Sequence, residues 1–206
     1  MKNNNTIETI FTDIGGVLLT NGWGRNSRKK AIDFFKLDAV ETEERHHLSF
    51  DTYEVGKLSL DDYLQQLVFY KKRDFSIEDF RKFMMAQSQP YPEMISLLKQ
   101  LKEKYHLKIA VINNEGRELN NYRIKKFRLN SFIDFFISSS FVHFRKPDSD
   151  IFRLAVDVSQ TPTNNLLYID DRPLFVQVAA AEGVKGIIHK DYESTVIKLA
   201  TFGLSL

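Results

Sequence analysis

The sequence predicts an α/β protein in which helices flank a parallel sheet and an all-helical insert follows the first strand. Three observations carry this prediction. An apolar run near the start, Ile7–Thr12, ends at Asp13. From about residue 90 onward, short apolar runs alternate with segments whose apolar residues recur at helical spacing, as in a parallel sheet covered on both faces. Between these two regions, residues 21–89 have helical periodicity alone.

The helical insert is predicted from its apolar stripes and from the serines that precede them. Each serine is followed by acidic residues, an arrangement that caps the first turn of a helix. The stripes are Leu60, Tyr63, Leu64, Leu67 and Val68 after Ser59, and Ile77, Phe80, Phe83 and Met84 after Ser76. We therefore expect an α/β core formed by residues 1–20 and 90–206, with residues 21–89 as a separate helical unit.

The second half of the chain supplies the other strands of the predicted sheet. Pro90 and Pro92 mark the return from the insert, and Pro92 suits the first turn of a helix whose buried face carries Leu97 and Leu101. The strands are predicted at residues 107–112, 132–137, 166–169 and 184–188. The helices are predicted at residues 117–128, 148–158 and 173–182, with a last one near 194–201.

Composition narrows the class of protein. The 206 residues are 43% hydrophobic and 27% charged, which is ordinary for a globular protein long enough to bury a core. The net charge of +2 gives no reason to expect nucleic acid as a partner. No segment is apolar enough to span a membrane, and the first residues do not resemble a signal peptide. The absence of Cys excludes disulfides and thiolate chemistry, so we expect a soluble cytoplasmic protein.

Acidic residues stand where two of the predicted strands end. Asp13 follows the first strand, and Asp170 and Asp171 follow a later one, in the segment Leu167–Arg172. In an open parallel sheet, ligands bind beyond the carboxyl ends of the strands. Three carboxylates gathered there repel one another unless a cation lies among them. Because the ligands would all be oxygens, the sequence favours a hard ion such as Mg²⁺.

In their order and context, these segments resemble the haloacid dehalogenase superfamily of phosphohydrolases. The most specific stretches are Asp13–Leu18, Arg145–Phe152 and Ile169–Pro173, and the resemblance extends from Ile7 to about Thr201. The closest subgroup has a helical cap inserted after the first strand of a Rossmann-like core, and residues 54–59 look like the middle of such a cap. The resemblance implies a hydrolase that acts on a small phosphorylated metabolite.

The resemblance also implies roles for individual residues. Asp13 takes the position of the nucleophile, which forms an aspartyl-phosphate and so divides one difficult displacement into two easier steps. Asp171 takes the position of a direct Mg²⁺ ligand, and Asp170 would reach the ion directly or through water. Asp13 and the backbone carbonyl of Gly15 would supply further oxygens. Waters and a phosphate oxygen would complete the six ligands that Mg²⁺ prefers.

Four positions would bind the phosphoryl group. Lys146 would neutralise the charge that gathers on the nucleophile and the phosphoryl oxygens. Asn113 stands where the family usually has Ser or Thr, so its side-chain amide would replace a hydroxyl donor. The backbone N–H of Asn114 and the loop residue Gly16 would add contacts to phosphate.

Gly15 departs from the pattern of active phosphatases in this family, which usually carry a second Asp two residues after the nucleophile. Without that side chain, acid–base assistance worth roughly 10²–10⁴ in rate is lost. A subgroup of the family carries Gly at this position. We expect Gly15 to favour substrates whose leaving groups need little protonation, such as acyl, aryl or anomeric sugar phosphates.

Two alternatives stay open at the level of sequence. The first is a phosphate-binding or regulatory protein in which catalysis is impaired, and Gly15 is the residue that favours it. The second is a true 2-haloacid dehalogenase, which needs no metal and generally lacks the paired acidic residues. A mutase is disfavoured because it would need the missing acid–base group. The substrate and the oligomeric state cannot be read from the sequence.

Overall fold

The structure is a computed structural model that describes residues 6–206, and a five-stranded parallel sheet forms its centre. The strands are β1 (Thr9–Thr12), β2 (Lys108–Asn113), β3 (Phe135–Ser138), β4 (Leu166–Asp170) and β5 (Lys185–Ile188). Their spatial order is β3-β2-β1-β4-β5, and each neighbouring pair is parallel. The predicted α/β fold with a parallel sheet is confirmed.

Strand β1 lies at the centre because the chain builds outward from it in both directions. Thr12 pairs with Val111 of β2 on one side and with Ile169 of β4 on the other. The chain adds β2 and β3 on the first side and then crosses to add β4 and β5 on the second. This reversal creates a crevice beyond the carboxyl ends of β1 and β4, where ligands bind in sheets of this kind.

Four helices follow β1 before the chain returns to the sheet. They are α1 (Arg25–Phe35), α2 (Ala39–Glu54), α3 (Leu60–Leu67) and α4 (Ile77–Ala86). Capping boxes begin α3 at Ser59 and α4 at Ser76, as the sequence predicts. Their apolar faces form a cluster around Trp23, Tyr63 and Phe80, separate from the two clusters beside the sheet. We call residues 21–89 the helical unit; its boundaries as a domain stay a prediction.

Six further helices belong to the second half of the chain. They are α5 (Pro92–Tyr105), α6 (Arg117–Lys126), α7 (Ser139–Val142), α8 (Ser149–Ser159), α9 (Pro173–Ala181) and α10 (Tyr192–Thr201). Side chains of α5 and α10 pack on one face of the sheet, and those of α8 and α9 pack on the other. Within residues 6–206, no helix is long and apolar enough to cross a membrane.

Several element ends differ from the sequence prediction. Strand β3 begins at Phe135, three residues later than predicted, because a short 3₁₀ turn at Leu129–Ser131 leads into it and Phe132 is buried as a loop residue. Helix α10 begins at Tyr192 because the Asp191 side chain accepts a hydrogen bond from the Ser194 N–H and caps it. These shifts leave the strand ends that carry the acidic residues unchanged.

Candidate active site

Three carboxylates meet at the crevice beside β1. Asp13 directly follows β1, and its N–H donates to the Ile169 carbonyl at 2.9 Å, which aligns it with the end of β4. Asp170 is the last residue of β4, and Asp171 follows it. Each residue offers a carboxylate oxygen within 4.8 Å of the others, so the structure brings together the three acids that the sequence placed at strand ends.

Burial makes this cluster electrostatically unfavourable on its own. Desolvation raises the pKa of the Asp13 carboxyl to about 7; Lys146 opposes the rise, and Asp170 and Asp171 add to it. Burial also raises the pKa of Asp171, again with a contribution from Asp170. One Asp171 carboxylate oxygen, Oδ1, is buried and has no hydrogen-bond partner. The cluster therefore has both a surplus of negative charge and a free oxygen.

Lys146 is the cation that the fold supplies to these acids. Its buried Nζ lies 3.2 Å from Asp13 Oδ1 and 2.7 Å from Asp170 Oδ2, and it donates to the Tyr168 hydroxyl at 2.9 Å. Two of the three N–H donors of the ammonium are thus bonded to Asp170 and Tyr168, and the ammonium also forms an ion pair with Asp13. The Tyr168 hydroxyl also hydrogen-bonds Asp170, which ties Lys146, Tyr168 and Asp170 into one network.

Asn114 holds the backbone of Lys146 in place. Its side-chain Nδ2 donates to the Lys146 carbonyl at 2.8 Å, and its Oδ1 accepts from the Lys146 N–H at 2.8 Å. The sequence predicts a phosphate contact for the backbone of Asn114, and this second task for its side chain was missed. A side-chain amide carries both a donor and an acceptor, so it bonds the N–H and the carbonyl of Lys146 as a neighbouring strand would.

Asn113 is buried at the end of β2, and its side chain faces helix α6. Its Nδ2 donates to Asn120 Oδ1 at 3.0 Å, and Asn120 in turn donates to the Ser138 hydroxyl at 3.0 Å. This chain of hydrogen bonds holds one N–H of the amide that the sequence assigned to phosphate. The Asn113 Oδ1 atom is buried without a partner, but a carbonyl oxygen attracts donors and not phosphate oxygens.

Gly16 has a structural task besides the one predicted. Its N–H donates to the Leu19 carbonyl at 2.7 Å, so this donor already has a partner in the protein. Its φ of +76° lies in the left-handed region, and a Cβ atom there would overlap the Asp171 carboxylate. The residue also provides space for Asp171, and its predicted phosphate contact stays a prediction.

Gly15 lies at the wall of the cavity that contains Asp13, and Asn21 occupies the adjacent space. A Cβ atom on Gly15 would come 2.9 Å from Asn21 Oδ1. Asn21 also hydrogen-bonds the Asp171 carboxylate, which opposes the rise in the pKa of Asp171. The space beside the nucleophile is thus taken by an amide from the chain after β1, and an amide cannot transfer a proton as a carboxyl does.

A cavity of about 310 Å³, which we call the inner cavity, opens above Asp13. Its floor is formed by the strand ends, and its roof is formed by α1 and α2 of the helical unit. Besides Lys146, its lining includes five arginines: Arg25, Arg28, Arg123, Arg145 and Arg172. A cavity with this lining suits an anionic ligand.

Three of these arginines are paired with carboxylates. Arg28 makes a bidentate ion pair with Glu43, with distances of 2.9 and 2.8 Å. Arg123 pairs with the buried Glu115, and its other guanidinium nitrogen donates to the Thr20 carbonyl at 2.6 Å. These pairs hold the guanidinium groups in fixed positions at the cavity wall.

The third pair joins the helical unit to the loop before α8. Arg145 pairs with Asp51 and, at 2.7 Å, with Glu54 at the end of α2. Burial raises the pKa of the Glu54 carboxyl to about 7, although the guanidinium of Arg145 opposes the rise. The Ser139 hydroxyl also donates to the Glu54 carbonyl at 2.6 Å. Arg145 and Glu54 therefore join the two parts of the molecule beside the cavity.

Two further contacts between the helical unit and the rest of the chain lie near the pair of Arg145 and Glu54. A Cβ atom on Gly116, the residue before α6, would overlap the buried ring of Tyr53 from α2. His143 contacts the Val55 carbonyl through Nδ1 at 2.8 Å. Both contacts connect the helical unit to segments that follow strands β2 and β3.

The family of the chain follows from comparison with known proteins. The family model of the haloacid dehalogenase-like hydrolases matches residues 25–188, which is most of the chain. This protein belongs to the haloacid dehalogenase-like hydrolases. No functionally curated protein matches it.

Solved structures from the same family share the fold. A haloacid dehalogenase family enzyme from Bacteroides thetaiotaomicron, solved with magnesium and inorganic phosphate, is 18% identical with a TM-score of 0.75, covering 89% of this chain and 94% of its own. A predicted family hydrolase from Porphyromonas gingivalis is 19% identical with a TM-score of 0.74, covering 95% and 98%. L-2-haloacid dehalogenase from Xanthobacter autotrophicus is 14% identical with a TM-score of 0.62, covering 98% and 85%.

The donor set of this hydrolase fits a hard divalent cation. Asp13 and Asp171 present carboxylate oxygens toward one another, and Asp171 Oδ1 has no protein partner. Asp170 is already satisfied by Lys146, by Tyr168 and by the Arg172 N–H, which donates to its Oδ1 at 2.8 Å. The free oxygen and the surplus negative charge are what an oxygen-binding cation such as Mg²⁺ would satisfy.

Proposed function

We propose that this protein is a Mg²⁺-dependent phosphatase that hydrolyses a small phosphorylated metabolite through an aspartyl-phosphate. The observation that carries the proposal is the buried cluster of Asp13, Asp170 and Asp171, to which the fold supplies one close ammonium, that of Lys146. The likeness to a family enzyme solved with magnesium and inorganic phosphate supports it. A cytoplasmic location and a small-molecule partner stay predictions.

Asp13 would act as the nucleophile. One of its oxygens attacks the phosphorus, the bond between phosphorus and the ester oxygen breaks, and the electron pair leaves with that oxygen. Water then attacks the phosphorus of the aspartyl-phosphate, which releases inorganic phosphate and restores the carboxylate. Burial raises the pKa of Asp13 to about 7 even with Lys146 beside it, so the charge of a bound cation would help to keep the nucleophile ionised at neutral pH.

Asp13, Asp171 and the Gly15 carbonyl would hold Mg²⁺, and the charge of Asp170 would act beside them. When bound, the ion supplies positive charge that stabilises the phosphoryl oxygens as phosphorus is transferred. Asp170 has a second task, because its Oδ2 lies 2.7 Å from Lys146 Nζ and so orients the ammonium. Lys146 therefore acts on Asp13 from a fixed position, and its third N–H would bind a phosphoryl oxygen.

The leaving group would depart without a protein acid at residue 15. With Gly15 at that position and Asn21 beside it, the inner cavity favours acyl, aryl and anomeric sugar phosphates, whose leaving oxygens need little protonation. Asn114 would contribute to the phosphate site through its backbone N–H and by holding Lys146. Asn113, whose amide bonds Asn120, would contribute through the second N–H of that amide.

The test is phosphate release from a panel of aryl, acyl, anomeric sugar, alkyl and nucleotide phosphates, with Mg²⁺ and with chelator. We expect Mg²⁺-dependent release that Asp13→Asn abolishes and that favours the aryl, acyl and anomeric esters. Asp157→Asn, at an exposed position on α8, is the matched control and should keep wild-type rates. Equal rates for Asp13→Asn and wild type would refute the proposal.

The second candidate function is phosphate binding without turnover, and the amide of Asn21 in the place of an acid favours it. The same panel distinguishes the two. Binding of Mg²⁺ and of a phosphate analogue such as vanadate, combined with no phosphate release from any ester, would support the binding protein. Chloride release from a haloacid without Mg²⁺ would instead support a dehalogenase.

A further inference from the structure

We propose that a basic recess beside the inner cavity binds a second anionic group of the substrate, so that the preferred substrates carry a phosphate or a carboxylate at the end remote from the reacting phosphate. The recess, which we call the outer recess, has a volume of about 620 Å³. It lies where the chain enters α1 and where it leaves α4. This inference rests on the proposed phosphatase function, because it names the class of substrate for that site.

The charge of the outer recess is unbalanced. Its lining residues include the cations Arg25, Lys30 and Arg172, and no Asp or Glu occurs among those that the structure describes. The arginines deeper in the inner cavity are different, because Arg28 and Arg145 have carboxylate partners. Within residues 6–206, neither Arg25 nor Lys30 makes an ion pair with the protein. Arg172 is close enough to Asp171 and Glu54 for its charge to lower their pKa values, so the unbalanced charge of the recess is that of Arg25 and Lys30. Positive charge without a protein counter-charge attracts an anion from outside.

The outer recess and the inner cavity share part of their walls. Asn21, Gly24, Arg25 and Arg172 line both. A ligand whose phosphate lies against Asp13 can therefore extend past these residues into the outer recess. Arg25 and Arg172 belong to both linings, and a planar guanidinium binds phosphate or carboxylate through two N–H donors at once.

Polar groups between the cations indicate what joins the two anionic ends of such a substrate. Asn26, Gln87 and Gln89 contribute amides to the lining of the recess, and Thr20 contributes a hydroxyl. The Thr20 hydroxyl and one N–H of each Gln amide already bond backbone groups of this segment. The amide of Asn26 and the carboxamide oxygens of Gln87 and Gln89 would recognise the hydroxyl groups of a polyol. The class of substrate is therefore a sugar phosphate with a second acidic group.

The test uses three esters that share an anomeric phosphate and differ at carbon six. Glucose 1-phosphate carries a hydroxyl there, glucose 1,6-bisphosphate carries a phosphate, and glucuronic acid 1-phosphate carries a carboxylate. We expect kcat/KM for release of the anomeric phosphate to be about tenfold higher for at least one of the two doubly acidic esters. The ester with the higher kcat/KM shows whether the recess prefers a phosphate or a carboxylate as the second group.

Three variants locate the effect. Arg25→Gln and Lys30→Gln should each reduce the preference for the second acidic group several-fold, and Arg25→Lys should retain most of it. Lys29→Gln removes a charge from the same exposed helix outside the outer recess and should keep the full preference. Melting temperatures verify that each variant is folded. Equal kcat/KM for all three esters in the wild type, or equal loss in Lys29→Gln, would overturn the inference.

A binding measurement separates this inference from the phosphatase proposal. Calorimetric titration of wild type and of Arg25→Gln with the three esters, in Mg²⁺ on ice-cold protein to limit turnover, reports the preference without relying on phosphate release. Preference in binding with no hydrolysis would refute the phosphatase and keep the outer recess. Hydrolysis with equal binding of the three esters would keep the phosphatase and refute the outer recess. Higher salt should weaken the preference, because exposed charges are screened.

Discussion

The floor of the inner cavity and the contact between Arg145 and helix α2 beside its roof differ in how completely their charges are paired. On the floor, Asp13, Asp170 and Asp171 gather around the single close ammonium of Lys146. Beside the roof, Arg145 forms ion pairs with Asp51 and Glu54 of α2, and we call this contact the joint. The joint pairs its guanidinium with carboxylates, and the floor leaves negative charge without a partner. We therefore expect ligands to bind where the charge is unbalanced, whereas the paired charges hold parts of the molecule together.

The largest expected effect comes from removing the cation of the floor. Lys146→Met leaves the buried Asp170 and Asp13 without their ammonium, and breaking a buried pair of this kind destabilises a protein by about 3–5 kcal/mol. Urea unfolding at pH 7 in chelator measures the free energy of unfolding. Lys126→Met, on the exposed end of α6, is the control and should change it little. A loss for Lys146→Met no larger than the control's would contradict this view of the floor.

The next effect concerns a contact near the joint and is steric. Gly116→Ala places a methyl group where the buried Tyr53 ring lies, and overpacking of this kind costs about 1–3 kcal/mol. The same substitution in a Tyr53→Leu background should cost much less, because the ring that it meets has been removed. A double-mutant cycle of unfolding free energies measures this coupling. Additive losses would show that the two residues act independently.

Removing one acid from the floor should stabilise the protein. The folded-state pKa of Asp13 is raised to about 7 from an ordinary 3.8, so the stability that this group contributes is full below about pH 4 and is lost as the pH rises through 7. In chelator at pH 7, Asp13→Asn should therefore unfold with a higher free energy than wild type. The difference should shrink toward pH 4.

Urea unfolding across this pH range checks the sign. Asp157→Asn, an exposed position, should show no such dependence on pH. A stabilisation by Asp13→Asn that is the same at pH 4 and at pH 7 would mean that ionisation of Asp13 is not its cause.

The smallest effect is expected for the ion pair of the joint. Arg145→Gln removes the partner of Glu54, and because Arg145 is partly exposed we expect a loss of about 1 kcal/mol. The pKa of Glu54 is raised to about 7, so this carboxyl is neutral at pH 5 and the variant should then lose only the exposed pair with Asp51. At pH 8 Glu54 is ionised and the full loss should appear in the melting temperature.

A control of the same residue type is available for the joint. Arg153→Gln breaks an exposed pair with Glu182 and should give equal small losses at pH 5 and pH 8. If Arg145→Gln behaves like Arg153→Gln, the joint does not depend on the ionisation of Glu54.

The sequence predicted the floor well because the floor depends on local features. Asp13 and Asp170 follow apolar runs, and the parallel register then fixes them beside each other. Tyr168 could also have been predicted, because residues two apart on a strand point to the same side and Tyr168 precedes Asp170 by two.

The pair of Arg145 with Glu54 and the bonds of Asn114 to Lys146 join segments that are distant in the sequence, so no local pattern predicts them. Asn114 and Lys146 come together only when β2 and the loop before α8 meet at one edge of the sheet. Gly116 has no left-handed backbone that would mark it, and only the ring of Tyr53 explains why it is glycine. Prediction from one sequence ends where the reason for a residue lies in a remote part of the fold.

The close approach of Gly16 to Asp171 matters to anyone who would transplant this site into another scaffold. A designer who copies Asp13, Lys146, Asp170 and Asp171 would carry over every functional group of the floor. The graft would still fail if the residue at position 16 had a side chain, since its β-carbon would overlap the Asp171 carboxylate and the left-handed backbone would be strained. What Gly16 brings to the site is room, and a template made only of reactive atoms leaves it out.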